Sequence, residues 1–379
     1  MKILRVNDLK SGIKFDKPVF IDDDNILVPA EVYIKEGDIK RLKKWGIESV
    51  RTEGSVIDEE AERLAKEESI ELLLKAKTFK EIHGLYSEAV KSLNEVLNVV
   101  KKGKTGPPGV IDSIVNKLFD PIMEKPDVFT ALTIRSDVTS YSKAISAVNC
   151  MILSLVIGTK LEMSKPKLMN LAIGALLHDV GMTRIPDNIL NKHGHLDNEE
   201  LQTIYTHTIH SYHIITKEFK YPEEIGLIAF QHHERWDGKG YPRGISGKDI
   251  LLSARIVSVA DSFEAMVRDR PYRDSMIGYT AIRQILNDNN RRFDGDIIKV
   301  FIKSLGIYPV GSVVILNDGS IGTVTKTHGS VPLRPEVRII IDTEGNKQSQ
   351  GEGEIIDLLE NKALFIVRAI NSKEIKNPE

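Results

Sequence analysis

The sequence predicts a mainly α-helical protein, in which an all-α domain is flanked by a small N-terminal α+β module and a small C-terminal β domain. Across residues 110–305, apolar residues recur at helical spacing in nearly every segment. After Ile307, β-branched residues alternate along short runs that Asp-Gly and Glu-Gly turns separate, which is typical of a small barrel or sheet. A chain of 379 residues is long enough for about two or three domains.

The first two segments carry no recognisable chemistry. Residues 1–56 alternate short strand patterns with turns and contain one helical patch that ends at Gly46, which predicts an α+β module. Residues 57–105 have Leu, Ala and Ile at helical spacing and end in a Gly- and Pro-rich stretch. We interpret this segment as a linker helix; the alternative is a dimerising coiled coil, which would make the protein a homodimer. The all-α domain is then predicted at 106–306 and the β domain at 307–379.

The amino-acid composition limits the kinds of partner that the protein is expected to bind. The formal net charge of -2 provides no overall attraction to DNA, RNA or an anionic membrane, so the expected ligand is small and must be held by local Arg and Lys. The single cysteine, Cys150, lies in an apolar helical segment and is predicted to be a buried thiol. The N-terminus has no apolar stretch of signal-peptide type, and the longest apolar run, 147–158, is too short and too mixed to span a bilayer. We therefore expect a cytoplasmic protein.

The all-α domain contains the candidate metal ligands. The pair His178-Asp179 follows a buried apolar run, and two further elements of the pattern are His232-His233 and Asp261. Imidazole nitrogens can each hold an ion and a carboxylate can bridge two ions, so these residue types suit a site for two hydrolytic metals. Three more histidines at three-residue spacing drift round one helix and cannot all aim at one point; these are His207, His210 and His213.

Four motifs in this order resemble one family. They are HDVG at 178–181, HHERWDGKGYPRG at 232–244, ADSFEAM at 260–266 and RPYR at 270–273. They resemble the HD-GYP family, a branch of the HD metal-dependent phosphohydrolases best known for hydrolysing the bacterial messenger cyclic di-GMP to linear pGpG or GMP. The resemblance implies an all-α HD fold over about 110–305.

The resemblance also implies a ligand set. Asp179 would be the bridging carboxylate that positions a nucleophilic hydroxide between two ions, with His178 and Asp261 on one metal. The second metal would be held by His207, His232 and His233. A donor set of nitrogen and oxygen atoms suits iron or manganese best. Four other histidines match no ligand position and are expected to be structural; these are His193, His195, His210 and His213.

Substrate contacts are expected from basic residues near the ligands. Arg270 and Arg273 follow Asp261 on a loop, and a guanidinium binds phosphate in a fork, so we predict that they hold the non-reacting phosphate. The motif loop consists of Asp237, Gly238, Gly240, Tyr241 and Pro242. Tyr241 and Pro242 are predicted to shape this loop or a surface for partner signalling proteins.

Two positions depart from the family pattern. Tyr141 stands where the first metal-binding histidine is usual, and Asp137 stands where some members carry an acidic ligand for a third ion. A phenol, with an ordinary pKa near 10, is a poorer ligand than imidazole at neutral pH. Met182 stands where a lysine is usual, which removes a charge unless Arg184 replaces it.

These patterns lead to one leading hypothesis and two alternatives. The leading hypothesis is a metal-dependent cyclic di-GMP phosphodiesterase, slowed by Tyr141 and Met182. The first alternative is a catalytically impaired HD-GYP protein that binds cyclic di-GMP or partner proteins. The second is a phosphohydrolase that acts on another nucleotide, because none of these residues is specific for the guanine base.

Overall fold

The computed structural model has the predicted architecture, and the mainly α-helical fold class is confirmed. The residues it describes are 2–6, 9, 14–15, 18–21, 26–28, 34, 36–53, 56–57, 76–107, 109–134, 142–192, 194–267, 278–346, 348 and 353–370.

The N-terminal module combines short strands with one helix, α1 (Glu36–Lys44). Its strands are β1 (Lys2–Arg5), β2 (Lys14–Phe15), β3 (Val19–Phe20), β4 (Ile26–Val28), β5 (Ser49–Thr52) and β6 (Val56–Ile57). Four of them form an antiparallel sheet in the order β1-β5-β3-β4, while β2 pairs with β6. Val19, Leu42 and Val50 are fully buried between this sheet and α1. The module therefore has a hydrophobic core of its own.

Twelve helices follow in the described residues. They are α2 (Ala76–Lys101), α3 (Val110–Glu124), α4 (Pro126–Ile134), α5 (Lys143–Lys160), α6 (Lys165–Leu177), α7 (Asp187–Leu190), α8 (Asn198–Tyr205), α9 (His207–His213), α10 (Glu223–Gln231), α11 (Leu252–Val267), α12 (Gly278–Asn287) and α13 (Gly295–Leu305). The last half of α2 buries Leu93, Val96 and Val100 in the same core as the helices after it. This part of the predicted linker helix therefore packs as a member of the helical domain.

The helices α5 and α6 form an antiparallel hairpin at the centre of the helical domain. Gly158 near the end of α5 lies so close to Leu168 and Leu171 of α6 that a β-carbon there would meet them at 2.8 Å. Among the described residues, α5 is the helix whose length and composition would fit a membrane span, but 78% of that window is buried within the protein. It is a core helix, and the predicted buried thiol of Cys150 lies within it.

The C-terminal domain is a five-stranded antiparallel sheet in the order β10-β9-β8-β7-β11. Its strands are β7 (Val313–Leu316), β8 (Ile321–Lys326), β9 (Glu336–Ile341), β10 (Ile355–Asp357) and β11 (Ile366–Ile370). The predicted Asp-Gly turn joins β7 to β8, with Gly319 at a φ of 90°, a conformation that favours glycine. Val314, Val324 and Val337 are fully buried and form the core of this sheet.

Candidate metal centre

Three histidine rings are held in the same way at helix ends. His178 caps the C-terminus of α6, His207 begins α9, and His232 caps the C-terminus of α10. In each ring Nδ1 donates a hydrogen bond of 2.7 Å to the carbonyl oxygen three residues earlier. The accepting carbonyls belong to Ala175, Ile204 and Ala229. This bond fixes the tautomer, so that Nε2 presents a lone pair, as metal-binding histidines commonly require.

All three Nε2 atoms converge on Asp179, which lies where α6 gives way to a 3₁₀ turn, Val180–Arg184. The Asp179 Oδ1 atom is 3.2 Å from His207 Nε2 and 3.6 Å from His232 Nε2. Its other oxygen, Oδ2, is 3.7 Å from His178 Nε2. The same His178 nitrogen is 3.6 Å from Oδ1 of Asp261, which projects from α11. Four elements therefore contribute to one cluster.

The cluster divides into two groups that share Asp179. In one group, the ligand atoms of Asp179, His207, His232 and His233 all lie within 4.8 Å of one another. In the other group, His178 bridges the carboxylates of Asp179 and Asp261. The structure thus brings together all six residues to which the sequence assigned metal binding in the described part of the chain.

The donor atoms at the centre fit divalent metal ions. Asp179 Oδ1, His207 Nε2 and His232 Nε2 are buried from solvent and have no hydrogen-bond partner of acceptable geometry. Buried polar atoms without partners are costly, and three of them pointing at one place indicate a ligand that satisfies all three. Imidazole and carboxylate donors are the set that divalent transition metals take.

The electrostatic environment gives two of the candidate ligands the protonation states that metal binding needs. Burial raises the pKa of Asp179, but His178, His207 and His232 outweigh that effect and hold the pKa well below its usual range. Burial also holds the pKa of His233 well below 6.5, and the neighbouring His232 adds to this lowering. Asp179 is therefore an anion and His233 a neutral imidazole near neutral pH, as metal coordination requires.

The pKa of His178 shifts in the opposite direction to that of His233. Burial lowers its pKa, but the carboxylates of Asp179 and Asp261 more than offset this and raise it to about 9. The pKa of Asp261 is lowered, because its contact with His178 outweighs the cost of burial. Without an ion, the proton on His178 occupies the position that a cation would take between two carboxylates.

The motif loop after His233 packs directly on the cluster. Its Tyr241 ring stacks on the ring of His233 with centroids 4.8 Å apart, and on Tyr205 of α8 at 3.9 Å. Gly240 allows this approach, because a β-carbon there would lie 2.5 Å from the His233 carbonyl oxygen and 2.6 Å from the Cα of Glu234. The predicted role of Tyr241 in shaping the loop is consistent with this packing, which also makes the ring a wall of the cluster.

The rest of the loop is anchored away from the cluster. The backbone nitrogens of Trp236 and Asp237 donate to the carbonyl oxygens of Arg292 and Arg291, respectively. The Asp237 carboxylate accepts two hydrogen bonds from Arg235. Gly238, at a φ of 76°, provides the turn between this anchor and Gly240.

Not all predicted site residues lie in the described part of the chain. Asp137, Tyr141, Arg270 and Arg273 fall outside it. Arg184 is described, and one nitrogen of its guanidinium, Nη2, donates to both carboxylate oxygens of Glu218 at 3.0 and 3.1 Å. A role for Arg184 in substrate binding would require it to leave this pair.

Sequence reasoning missed a polar network behind the cluster. The hydroxyl of Tyr86 on α2 donates to Asn149 Oδ1 at 2.9 Å, and Asn149 Nδ2 donates to Glu264 Oε1 at 3.3 Å. All three residues are buried, and Glu264 lies one turn after Asp261 on α11. The one sign of this network in the sequence is Asn149, a polar residue within the apolar run of α5. Its partners, Tyr86 and Glu264, are too distant in the chain to be identified from residue spacing.

Comparison with known proteins agrees with this fold. Residues 128–297 match the HD domain, and residues 313–378 match a KOW domain associated with the HD domain. The matched residues 128–297 include all six residues of the cluster. The cyclic di-GMP phosphodiesterase PA4108 of Pseudomonas aeruginosa is 29% identical over 255 residues, which span 67% of this chain and 61% of that protein. The cyclic di-GMP phosphodiesterase PdeB of Borreliella burgdorferi is 25% identical over 364 residues, which span 94% of this chain and 92% of that protein.

A solved structure shows the same fold. Bd1817, an HDG"Y"P protein from Bdellovibrio bacteriovorus, aligns with a TM-score of 0.50 at 18% identity, covering 79% of this chain and 97% of that one. The match over residues 128–297 agrees with the resemblance to HD-type phosphohydrolases that the motifs indicated.

Proposed function

We propose that this protein is a metal-dependent cyclic di-GMP phosphodiesterase that releases linear pGpG, GMP or both. The observation that carries the proposal is the convergence of buried, unpartnered donor atoms on Asp179. Relatives that align along most of the chain are named for this activity, which supports the choice of substrate.

Two ions, with iron or manganese favoured by the donor set, would be held by the two groups that share Asp179. When bound, such ions lower the pKa of water and neutralise negative charge that develops on a phosphodiester. The protein's own contribution is to fix the donors: the carbonyl bonds hold the rings of His178, His207 and His232, and Tyr241 covers one side of His233. Donors fixed before the ions arrive need little reorganisation when they bind.

A second candidate function is that of a catalytically impaired protein that binds cyclic di-GMP or partner proteins. The observations that favour it are the apolar Met182 and the engagement of Arg184 with Glu218, because the 3₁₀ turn beside Asp179 then offers no free cation to a phosphate. The presence of Tyr141 where a histidine is usual also favours a catalytically impaired protein. Partner proteins would be expected at the motif loop.

Analysis of the reaction products distinguishes the two candidate functions. The protein is purified without chelators and incubated in manganese or ferrous buffer with cyclic di-GMP, and in parallel with 3'3'-cGAMP, before chromatography and metal analysis. Linear pGpG or GMP together with about two metals per chain would support the phosphodiesterase. Turnover of 3'3'-cGAMP alone would move the assignment to another nucleotide.

Unchanged nucleotides despite bound metal would contradict the phosphodiesterase and favour the binding module. In that case the double variant Tyr141→His, Met182→Lys should gain hydrolysis if the two departures are what impairs the site. Binding of cyclic di-GMP to the inactive protein, measured by calorimetry, would then define its remaining function.

A further inference from the structure

The 3₁₀ turn Val180–Arg184, which follows Asp179, is joined to α9 by one buried hydrogen bond. The backbone nitrogen of Gly181 donates to the hydroxyl oxygen of Ser211 at 2.8 Å. Within the turn, the nitrogen of Met182 donates to the carbonyl oxygen of Asp179 at 3.0 Å. The nitrogens before it lie at the start of the turn, where a helix has no acceptor of its own to offer. Ser211 therefore supplies from α9 the acceptor that the backbone of Gly181 needs.

The backbones of the turn and of α9 are in close contact at this hydrogen bond. A β-carbon at Gly181 would collide with the carbonyl oxygen of His207 and with the backbone nitrogen of Ser211. This approach requires glycine, because any side chain would force the two segments apart. Ser211 is fully buried, so its hydroxyl bonds to Gly181 without competition from water.

The two segments that are joined in this way carry two neighbouring candidate ligands. Gly181 lies two residues after Asp179, and Ser211 lies one helical turn after His207 on α9. The Oδ1 atom of Asp179 is 3.2 Å from Nε2 of His207. Because the ring of His207 is fixed to its own chain by the carbonyl oxygen of Ile204, this separation depends on where the turn lies along α9. The hydrogen bond between Gly181 and Ser211 fixes that position.

The far end of the turn has a more exposed attachment to the same part of the chain. Arg184 donates to both carboxylate oxygens of Glu218, which ends the π-helical turn Ile214–Glu218 that continues α9. The exposed fractions of the two side chains are 26% and 22%, so solvent partly screens this pair. The buried hydrogen bond to Ser211 lies nearer to Asp179 in the chain. It is therefore the attachment on which the position of this carboxylate chiefly depends.

We propose that Ser211 is a positioning residue of the candidate metal centre: its hydroxyl holds the turn at the place where Asp179 and His207 can bind one ion together. Ser211 would act through the turn, without binding the ion itself. The proposal deepens the proposed function and rests on its metal centre, not on its substrate. Removal of a residue that orients metal ligands commonly weakens metal binding by about 10- to 100-fold.

The test measures manganese binding to the metal-free protein by calorimetry. Ser211→Ala leaves the buried nitrogen of Gly181 without its acceptor, so the turn should shift and the Kd for manganese should rise about tenfold. Ser304→Ala is the matched control, because it removes the same hydroxyl from α13, where that group donates to the carbonyl oxygen of Val300 in the same helix. This control should change the Kd by less than about twofold.

Gly181→Ala changes the same contact in a different way. The added methyl group forces the turn away from α9, so manganese binding should weaken at least as much as in Ser211→Ala. Ser211→Ala only removes an atom, so it still tests the proposal if Gly181→Ala does not fold.

A spectroscopic measurement separates positioning from a purely structural role. The visible absorption of the cobalt-loaded protein depends on coordination geometry, so Ser211→Ala should alter the spectrum and Ser304→Ala should leave it unchanged. Equal manganese Kd values for Ser211→Ala and the original protein would overturn the proposal, even if the variant unfolds at a lower temperature. An original protein that binds no manganese would refute the metal centre and the proposal together. If manganese binding depends on Ser211 but cyclic di-GMP stays intact, the proposed substrate is wrong and the role of Ser211 stands.

Discussion

Asp179 owes its position to the end of one helix. The helix α6 stops at Leu177, and the change to a 3₁₀ turn directs the next carboxylate toward three buried imidazoles. A carboxylate surrounded by histidines is stabilised as an anion, and its two oxygens face different groups of candidate ligands. One residue therefore connects both halves of the candidate centre.

Asp179→Asn should abolish metal binding and hydrolysis together. The amide keeps the size of the side chain but loses the negative charge that attracts cations, so we expect no bound metal in the purified variant and a fall of at least about 100-fold in any hydrolysis. Metal per chain and product formation are measured on the same preparation. The control is Asp187→Asn, which removes the same charge from an exposed pair with Lys101. Full activity in Asp179→Asn would refute the assignment of this centre.

Gly240→Ala tests the contact between the motif loop and the cluster. The added methyl group would collide with backbone atoms of His233, Glu234 and Arg235, so the loop must move. We expect a loss of about 1–3 kcal/mol in the free energy of unfolding and weaker metal binding, because His233 moves with the loop. Gly84→Ala in α2 meets nothing within 4 Å and should instead stabilise by about 0.5–1 kcal/mol. Unchanged stability and metal affinity in Gly240→Ala would show that the loop does not support His233.

At the level of elements, the candidate centre is supported from behind by helices that carry no ligand. The buried network of Tyr86, Asn149 and Glu264 joins α2, α5 and α11, so that the helix entering from the N-terminal side is tied to the helix that bears Asp261. Buried polar groups of this kind specify one packing arrangement, since any shift between the helices leaves a donor or acceptor unsatisfied.

Tyr86→Phe should therefore destabilise the helical domain. The Oδ1 atom of Asn149 would lose the hydroxyl that donates to it in a buried environment, at a cost of about 1–2 kcal/mol in the free energy of unfolding. Urea unfolding measures the loss. Tyr212→Phe is the control, because that hydroxyl bonds to Glu223 at the surface and its removal should cost less than about 0.5 kcal/mol. Equal effects of the two variants would contradict the importance of the network.

At the level of the whole molecule, an N-terminal module and a C-terminal sheet flank a helical domain that contains all the described candidate ligands. The helix α2 packs into the helical core, and its residue Tyr86 reaches the polar network behind the centre. Since the site is built from the ends of α6 and α10, the start of α9 and the middle of α11, its geometry depends on the packing of the entire helical domain. Ion binding and the stability of that domain should therefore be coupled.

Removal of metal should lower the unfolding temperature of the helical domain. An ion that binds only the folded protein stabilises it by about 2.7 kcal/mol when present at 100 times its Kd. Thermal unfolding followed by tryptophan fluorescence, before and after a chelator and after manganese is restored, measures this effect; Trp236 in the motif loop is a suitable reporter. Asp179→Asn should unfold at one temperature whether or not the chelator is present. A chelator-insensitive original protein would contradict a metal at this centre.

The fold class and the chemical types of the candidate ligands could be predicted from the sequence alone. Helical spacing, alternating strands and Asp-Gly turns depend on local backbone geometry, and the His-Asp and His-His motifs place chemically suitable groups next to each other in the chain. Which groups meet became clear only from the packing of the helices: Arg184 pairs with Glu218, and Glu264 accepts a hydrogen bond from Asn149. The physical reason is that periodicity places a residue on a face of its own helix, whereas its partner is chosen by how separate helices pack, and that packing depends on contacts between residues far apart in the chain.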